Sequence, residues 1–530
     1  MTVVAKNPIM SGFYPDPSIC AVGEDYYLIN STFAYFPGLP IMHSKDLVHW
    51  EQIGNAMDRA SQLPLEKAGH SQGLFAPTIR YHEGTYYVIC TNVSHGGNYI
   101  ITAKSPEGPW SEPYYLQGAQ GIDPSLFFDD DGTCYYIGTR PNQEGCRYNG
   151  DYFIWIQEVD LKEMKLIGEP KDVWNGAMRD VVWPEGPHLY KKNGYYYIMH
   201  AEGGTGPDHA VTVCRSRNVW GPYENNKCNP ILTHRHLGWA YPIKYVGHAD
   251  MIETPKGDWY MVMLAVRPLE GYTTMGRETF LATVTWENDW PVVNPGVGML
   301  TGKVEINLDP WYPEKDRKSY TVRTGSKTAV PGSNRQYDFG RMKQLGHEFL
   351  KLRNPAEDMC ELVAKEGLKL KFGKAKMTDV ASPSFVGIRQ QHHHFMVGSW
   401  LSMEGIAAGR KAGIVLLQSN EYQLRLEASE KKIEAILCEK GQDNCIGMTK
   451  MSDVDVVLFM MVDGLKATLG IEKGEEEIII AKDIDIRALS TEVAGGFVGC
   501  TIGMYAVDES AEEVDSGAKA CFRGFTYESM

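Results

Sequence analysis

A short segment recurs five times in the first part of the chain. Each copy has an apolar run, then a polar or glycine turn, then an aromatic strand that closes on a tyrosine. The closing tyrosines are Tyr27, Tyr87, Tyr136, Tyr197 and Tyr260, at steps of 60, 49, 61 and 63 residues. Repeats of this size that are built from hairpins are typical of propeller blades. The sequence therefore predicts a five-bladed β-propeller.

One position in each repeat, directly before the apolar strand, is the place to look for a site. Equivalent positions of successive blades face the central axis, so their side chains converge on one funnel. The five residues at this position are Asp16, Ala76, Asp123, Glu185 and His248. Asp-Pro pairs are also common in ordinary turns. The equivalence of the positions nevertheless predicts three carboxyl groups and a histidine around one pocket.

The repeat ends after Pro295, and a different sequence pattern follows. At 530 residues it is too long for one compact core, so a second domain is expected. The segment 301–335 is polar and rich in Pro, Lys, Arg and Ser, and alternating apolar and polar residues follow it with glycine turns. That pattern is typical of a β-sandwich. We predict an all-β protein with a propeller at 1–302, a connector at 303–335 and a β-sandwich at 336–530.

Net charge, cysteine content and apolar runs indicate which ligands and which cellular compartment suit the chain. The net charge of −15 argues against nucleic acid and anionic membranes, which need clustered lysine and arginine, and suits a neutral ligand such as a sugar. Eleven cysteines without CxxC spacing favour free thiols in a reducing compartment. The first six residues, MTVVAK, do not form the apolar run of a leader, and no apolar run approaches the length of a membrane span. The expectation is a cytoplasmic protein, with secretion open if a leader was removed.

A run of three histidines, His392–His394, resembles a metal cluster. Consecutive residues of a strand point to opposite faces, so the three cannot all reach one ion. We do not predict a metal site there.

Three carboxyl groups around one pocket are enough to hydrolyse a glycosidic bond. One must stay protonated near neutral pH to protonate the leaving oxygen, and another must be ionised to activate water or to attack. A third negative charge raises the pKa of the proton donor by repulsion. This chemistry requires no cofactor.

Four motifs resemble glycoside hydrolase family 43. They are Asn7–Ser18 (NPIMSGFYPDPS), Gly121–Ser125 (GIDPS), Glu185–Tyr190 (EGPHLY) and Gly276–Phe280 (GRETF). The resemblance covers the whole chain, because Phe349–Pro355 and Ile388–Gln391 are similar to the β-sandwich of the longer members. It implies a five-bladed propeller with an inverting mechanism. It also implies exo-action on β-xylosides or α-L-arabinofuranosides.

The resemblance also implies roles for single residues. Asp16 would be the general base, Glu185 the general acid, and Asp123 the residue that tunes the pKa and orients the acid. Arg277 would contact sugar hydroxyls. His248 would lie below the sugar, where a calcium or other ion on the axis is compatible with the family, although calcium prefers several oxygen ligands.

Aromatic rings should form the sugar platform. Phe33 and Tyr35 match aromatic residues near the pocket entrance in the family, and Phe75 stands where related xylosidases often carry tryptophan. That difference favours the branch in which arabinofuranosidases and dual-activity enzymes are common. The sandwich is expected to act as a lid that makes the pocket exo-acting, with Phe497 as a candidate contact.

The predicted function is release of terminal α-L-arabinofuranosyl or β-D-xylosyl residues from hemicellulose oligosaccharides such as those of arabinoxylan. One alternative is a sugar-binding propeller without catalysis. Another is a retaining five-bladed fructosidase, which would need an Asn-Asp-Pro motif near the start and an Arg-Asp-Pro motif; Arg179-Asp180 is followed by Val181. Sugar preference, linkage, a homo-oligomeric state and the sandwich's role stay open.

Overall fold

The computed structural model describes residues 2–313, 334–450, 455–474, 476–510 and 517–530, and antiparallel strands dominate it. The helical turns within these residues are short: Ala60–Gln62, Glu357–Met359, Arg487–Leu489 and Thr491–Ala494. None of the described helices is long and apolar enough to cross a membrane. The all-β prediction is confirmed.

Five antiparallel sheets follow one another along the first part of the chain, and each is built from consecutive strands. Sheet 1 contains Ser18–Val22, Asp25–Ile29, Gly38–Ser44 and Glu51–Met57. Sheet 2 contains Leu74–His82, Thr85–Asn92, Gly97–Ala103 and Tyr114–Tyr115. Sheet 3 contains Ile122–Phe128, Cys134–Pro141, Tyr152–Asp160 and Lys165–Trp174. Sheet 4 contains Glu185–Lys192, Tyr195–Glu202, Ala210–Ser216, Glu224–Asn225 and Leu232–Thr233, and sheet 5 contains Lys244–Glu253, Trp259–Val266, Glu278–Glu287 and Trp290–Val293.

The first strands of the five sheets contact one another in order. Each packs against the first strand of the next sheet, and the first strand of sheet 5 packs against that of sheet 1. The strand Val3–Lys6 also pairs with Lys303–Ile306, which ties the two ends of this region together. The first strands therefore line the centre of a closed ring.

The predicted connector starts too early, because the strand Lys303–Ile306 pairs with Val3–Lys6 and so belongs to the ring of sheets. Residues 314–333 of the connector lie outside the described residues.

The C-terminal part is a β-sandwich, as predicted. One sheet contains Cys360–Val363, Gly367–Lys371, Lys519–Ser529, His394–Ser402, Val456–Asp463, Lys466–Lys473 and Glu476–Asp485, with Arg335–Asp338 beside Lys519–Ser529. The other contains Ser384–Arg389, Thr501–Asp508, Arg410–Leu417, Gln423–Ala428, Lys432–Glu439 and Gln442–Lys450. Alternate residues of both sheets, such as Val386 and Ile388 opposite Phe395 and Val397, form one apolar core.

Two buried arginines fasten the sandwich to the ring of sheets. The Arg353 guanidinium donates from Nε to the carbonyl of Ala68 at 2.7 Å, and Arg389 Nε donates to the carbonyl of Phe13 at 2.6 Å. A buried donor of this kind that makes its hydrogen bond typically contributes about 1.5–3 kcal/mol. Both arginines belong to the motifs that resemble the family's sandwich.

The side chains of the histidine run meet different partners. His392 lies 3.2 Å from the Tyr527 hydroxyl, and His394 lies 2.6 Å from Asp463. The described residues contain no group of three or more His, Cys, Asp or Glu side chains placed to hold a metal ion. All eleven cysteines are free thiols.

Candidate active site

Every first strand has a residue with left-handed backbone, either inside the strand or within two residues of its start. The φ angles are 51° at Asp16, 33° at Ala76, 55° at Asp123, 59° at Gly186 and 51° at His248. In sheets 2 to 5 the strand pairing is irregular at this residue, as in a β-bulge. Bulges re-aim side chains and are frequent beside active sites. These five residues define a slot that repeats around the ring.

The fourth slot holds Gly186, and the expected alignment of Glu185 with Asp16 and Asp123 is wrong by one residue. Gly186 is followed by Pro187, as the other slot residues of sheets 1 to 3 are followed by proline. Glu185 pairs with Ala201 just before the bulge. Its side chain therefore enters the site from a different backbone position than the two aspartates.

The slot residues face one another across the ring. The backbone N–H of Gly186 donates to Oδ2 of Asp123 at 3.2 Å. A Cβ at Gly186 would lie 2.9 Å from the His248 ring, so only glycine leaves this room. Contact between slots of different sheets brings the predicted carboxyl groups into one site.

Asp16 is held by two side chains. Arg277 Nη1 donates to Oδ1 at 2.8 Å, and the Ser31 hydroxyl donates to Oδ2 at 2.6 Å. Ser31 also accepts the backbone N–H of Ala76 at 2.7 Å, which fixes its hydroxyl between two slots. The Asp16 carboxyl is therefore buried with its orientation set.

These partners decide the charge of Asp16. Burial alone would raise the pKa of its carboxyl, but the Arg277 and His248 charges and the Ser31 hydrogen bond outweigh burial. The net pKa lies below its usual value, so Asp16 is ionised at neutral pH.

The other two carboxyl groups shift in the opposite direction. Burial raises the pKa of Glu185 well above its usual value, and the charges of Asp123 and Asp16 raise it further. Burial also raises the pKa of Asp123 to about 6, against the opposing pull of His248. Among the described residues no side chain or N–H pairs with the Glu185 carboxyl. The site thus combines an ionised carboxylate with a protonated carboxylic acid, the pairing that acid–base hydrolysis requires.

His248 lies in the site, where it interacts electrostatically with Asp16 and Asp123. The nearest carboxylate in sequence, Asp250, already accepts from Ser18, Arg80 and Tyr190. Calcium prefers six or more oxygen ligands, and His248 offers nitrogen. A calcium or other ion on the axis stays a prediction.

Three phenylalanines form an aromatic cluster at the pocket. The ring of Phe33 is 5.0 Å from that of Phe75 and 6.1 Å from that of Phe497, and Phe75 and Phe497 are 5.9 Å apart. Phe33 is 1% exposed and lies beneath the others, whereas Phe75 is half-buried and Phe497 is 40% exposed. The accessible rings are therefore Phe75 and Phe497.

Tyr35 does not fit its predicted place on the sugar platform. Its ring is fully buried between the ring of sheets and the sandwich. Its hydroxyl lies 3.1 Å from His70 and 3.0 Å from Thr501 of the sandwich. The Tyr35 ring is 0% exposed and leaves no surface for a ligand, so the family match at this position reflects packing.

Arg277 reaches beyond Asp16. Nη1 is 3.4 Å from the hydroxyl of Thr205, and Nη2 donates to the carbonyl of Phe497 at 3.1 Å. Ser31 and Thr205 were not predicted, because both lie in loops outside the repeat. The only sequence signal for them is position: each lies shortly after the second strand of a sheet, at the end of the ring where the slots begin.

Known proteins resemble this chain over its whole length. The sequence model described as Glycosyl hydrolases family 43 matches residues 5–291, and the Beta xylosidase C-terminal Concanavalin A-like domain matches residues 336–528. The chain is 48% identical to a xylosidase/arabinosidase of Butyrivibrio fibrisolvens, covering 95% of this chain and 96% of that protein. It is 37% identical to a non-reducing end α-L-arabinofuranosidase of Bacteroides ovatus, covering 94% and 91%. A crystal structure of a xylan β-1,4-xylosidase from Bacillus halodurans superimposes with a TM-score of 0.88 at 33% identity, covering 99% and 100%.

Proposed function

Because the chain belongs to glycosyl hydrolase family 43 and is a glycoside hydrolase, we propose that it releases terminal α-L-arabinofuranosyl and β-D-xylosyl residues by single displacement with inversion. We further propose that the five sheets are the blades of a propeller whose axis carries the site. The closed order of first strands supports this reading. No cofactor is needed for the reaction.

The opposite charge states of Asp16 and Glu185 carry the proposal. Asp16 is held ionised by Arg277 and can accept a proton from water. Glu185 is held protonated by burial and by its two acidic neighbours, and it can protonate the leaving oxygen. Water attacks the anomeric carbon as the glycosidic bond breaks. The Asp16 carboxylate takes a proton from that water, and the Glu185 carboxyl gives its own proton to the leaving oxygen. An inverting site of this kind separates its carboxyl groups by about 6.5–9.5 Å to admit that water.

Exo-action follows in this proposal from the segment Ser490–Cys500 of the sandwich. Glu492 accepts hydrogen bonds from the N–H and hydroxyl of Thr273, and the N–H of Phe497 donates to Ser71 at 2.9 Å. The segment thus reaches two loops of the ring and brings Phe497 to the pocket. A wall on that side of the pocket would block a continuous polysaccharide chain and admit only a chain end or a side branch.

The direct test is hydrolysis of 4-nitrophenyl α-L-arabinofuranoside and β-D-xylopyranoside, followed by proton NMR of the first product. We expect cleavage of both and an inverted anomeric configuration before mutarotation. Retention would favour a double-displacement mechanism, as in the fructosidase alternative. Binding without turnover of either glycoside would favour the sugar-binding alternative.

A further inference from the structure

Trp183 lies two residues before the proposed acid, in a segment whose backbone is hydrogen-bonded to neighbouring strands and loops. Its backbone is left-handed with a φ of 48°, which is rare for a bulky residue. Its N–H donates to the carbonyl of Gly150 at 2.8 Å, and the next carbonyl, that of Pro184, accepts the Thr139 hydroxyl at 2.6 Å. Strain of this kind persists only where the surroundings impose it. The backbone that leads from Trp183 to Glu185 is therefore held in place.

Two glycines make room for the indole. A Cβ at Gly204 would lie 2.7 Å from ring atom Cε3 of Trp183, and a Cβ at Gly150 would lie 3.0 Å from its Nε1 and Cε2. The ring therefore fills the gap between a loop of sheet 3 and a loop of sheet 4. Both loops follow second strands, which run antiparallel to the first strands and end where the slots begin.

Each of these loops also reaches the proposed catalytic groups. Thr205, next to Gly204, lies 3.4 Å from Arg277 Nη1. On the other side, burial, Cys146 and Glu185 together raise the pKa of Tyr152, two residues after Gly150, so this loop lies within electrostatic range of Glu185. Trp183 is thus placed at the rim on the side of the proposed proton donor.

Part of the Trp183 side chain is exposed, and its donor is unused. Trp183 is half-buried, and no hydrogen bond among the described residues uses its indole N–H. A general acid must lie within hydrogen-bond reach of the oxygen it protonates, so the departing sugar sits on the acid's side of the site. An aromatic ring with a polar handle suits the apolar face and hydroxyls of such a sugar.

We infer that Trp183 is the platform for the leaving-group sugar and sets the preference for oligosaccharides over small glycosides. This inference rests on the proposed function. The ring would stack on the departing sugar and its N–H would donate to a hydroxyl of that sugar. Trp183 therefore acts on binding of the leaving group and takes no part in proton transfer.

The test compares two substrates with the same terminal sugar. One is a glycosyl azide, whose leaving group is too small to reach the indole. The other is an oligosaccharide: xylobiose for xylose, or xylotriose with one arabinofuranosyl branch for arabinose. Trp183→Gly removes the ring and suits the left-handed backbone, Trp183→Phe keeps a ring, and Trp400→Ala removes an exposed tryptophan of the sandwich as the matched control.

We expect Trp183→Gly to lower kcat/KM on the oligosaccharide about tenfold, with the azide within about twofold of wild type. Trp183→Phe should recover most of the loss, and Trp400→Ala should change neither substrate. Equal losses on both substrates, or no loss on the oligosaccharide, would overturn the inference while leaving the proposed function intact. If the wild-type protein cleaves neither substrate, the proposed function itself fails. Thermal unfolding of each variant identifies a loss that comes from misfolding. If Trp183→Gly misfolds, Trp183→Asn, which also tolerates left-handed backbone, must show the selective loss instead.

Discussion

Arg277 links Asp16 to the sandwich domain: one guanidinium nitrogen lies 2.8 Å from the Asp16 carboxylate and the other donates to the carbonyl of Phe497. One residue of the ring of sheets thus holds the proposed base ionised and hydrogen-bonds the sandwich segment that we propose as a wall of the pocket. Its Nε is buried without a partner among the described residues. Such a donor is costly to leave unpaired, so a bound sugar hydroxyl or water is a natural acceptor for it.

Asp16→Asn should abolish hydrolysis without unfolding the protein. The amide oxygen can keep the hydrogen bond from Arg277 while the amide NH2 donates to the Ser31 hydroxyl, but the amide cannot take a proton from water. We expect kcat to fall about a thousandfold, within the range of about 10²–10⁴-fold that is typical of a general base. Asp129→Asn is the matched control, because Asp129 is also a buried carboxylate but is paired with Lys191 and Tyr196 away from the site. Hydrolysis at the wild-type rate by a folded Asp16→Asn protein would show that Asp16 is not the general base.

Glu185→Ala should reduce activity most on substrates with poor leaving groups. An alkoxide needs a proton as it departs, whereas a dinitrophenolate needs much less. Steady-state rates on an oligosaccharide and on a dinitrophenyl glycoside of the same sugar provide the comparison. A steep loss on the first and a mild one on the second are expected. Comparable losses on both would show that another group donates the proton.

Asp123→Asn should move the alkaline limb of the pH–rate profile to lower pH. The Asp123 charge is one of the causes that raise the pKa of Glu185, and Asp123 carries that charge above its own pKa of about 6. Without the charge, Glu185 loses its proton at lower pH, and the active protonated form disappears earlier. The measurement is kcat/KM against pH. Lower activity with an unmoved limb would mean that Asp123 acts by orientation alone.

Phe497→Ala should raise KM and lower kcat/KM about tenfold, as expected for loss of one aromatic contact in a binding site. The Phe497 ring stacks over Phe33 and faces solvent on its other side. Its backbone hydrogen bonds to Ser71 and Arg277 survive the substitution, so the segment should stay in place. Val493→Ala, an exposed position in the same segment, is the control. Unchanged kinetics for Phe497→Ala would argue against the sandwich as a wall of the pocket.

Local pattern was enough to predict the five sheets, the sandwich and the cluster of Asp16, Asp123 and Glu185, because hydrophobic alternation and turn residues are short-range signals. Local pattern could not show that Glu185 lies one residue before the slot position, since a bulge changes the strand register without changing the sequence repeat. Tyr35 illustrates a second limit. Its hydroxyl hydrogen-bonds to Thr501, hundreds of residues away in the sandwich, and a sequence repeat cannot predict such an interdomain contact.

The choice between arabinofuranoside and xyloside should depend on Phe75. The two sugars present similar hydroxyls to one pocket, so discrimination rests on small differences in shape, typically about 1–3 kcal/mol or roughly 10–200-fold. Phe75 is half-buried against Phe33 and Phe497, and a phenyl ring at this position leaves a wider wall than an indole would. We expect wild-type protein to cleave both nitrophenyl glycosides with the arabinofuranoside preferred, and Phe75→Trp to shift the kcat/KM ratio toward the xyloside. Phe128→Trp adds the same volume at a half-buried site beside His82 and Tyr87, and it should leave the ratio unchanged. Wild-type protein that cleaves only the xyloside, or that cuts internal bonds of xylan, would contradict this account of specificity while leaving the roles of Asp16 and Glu185 standing.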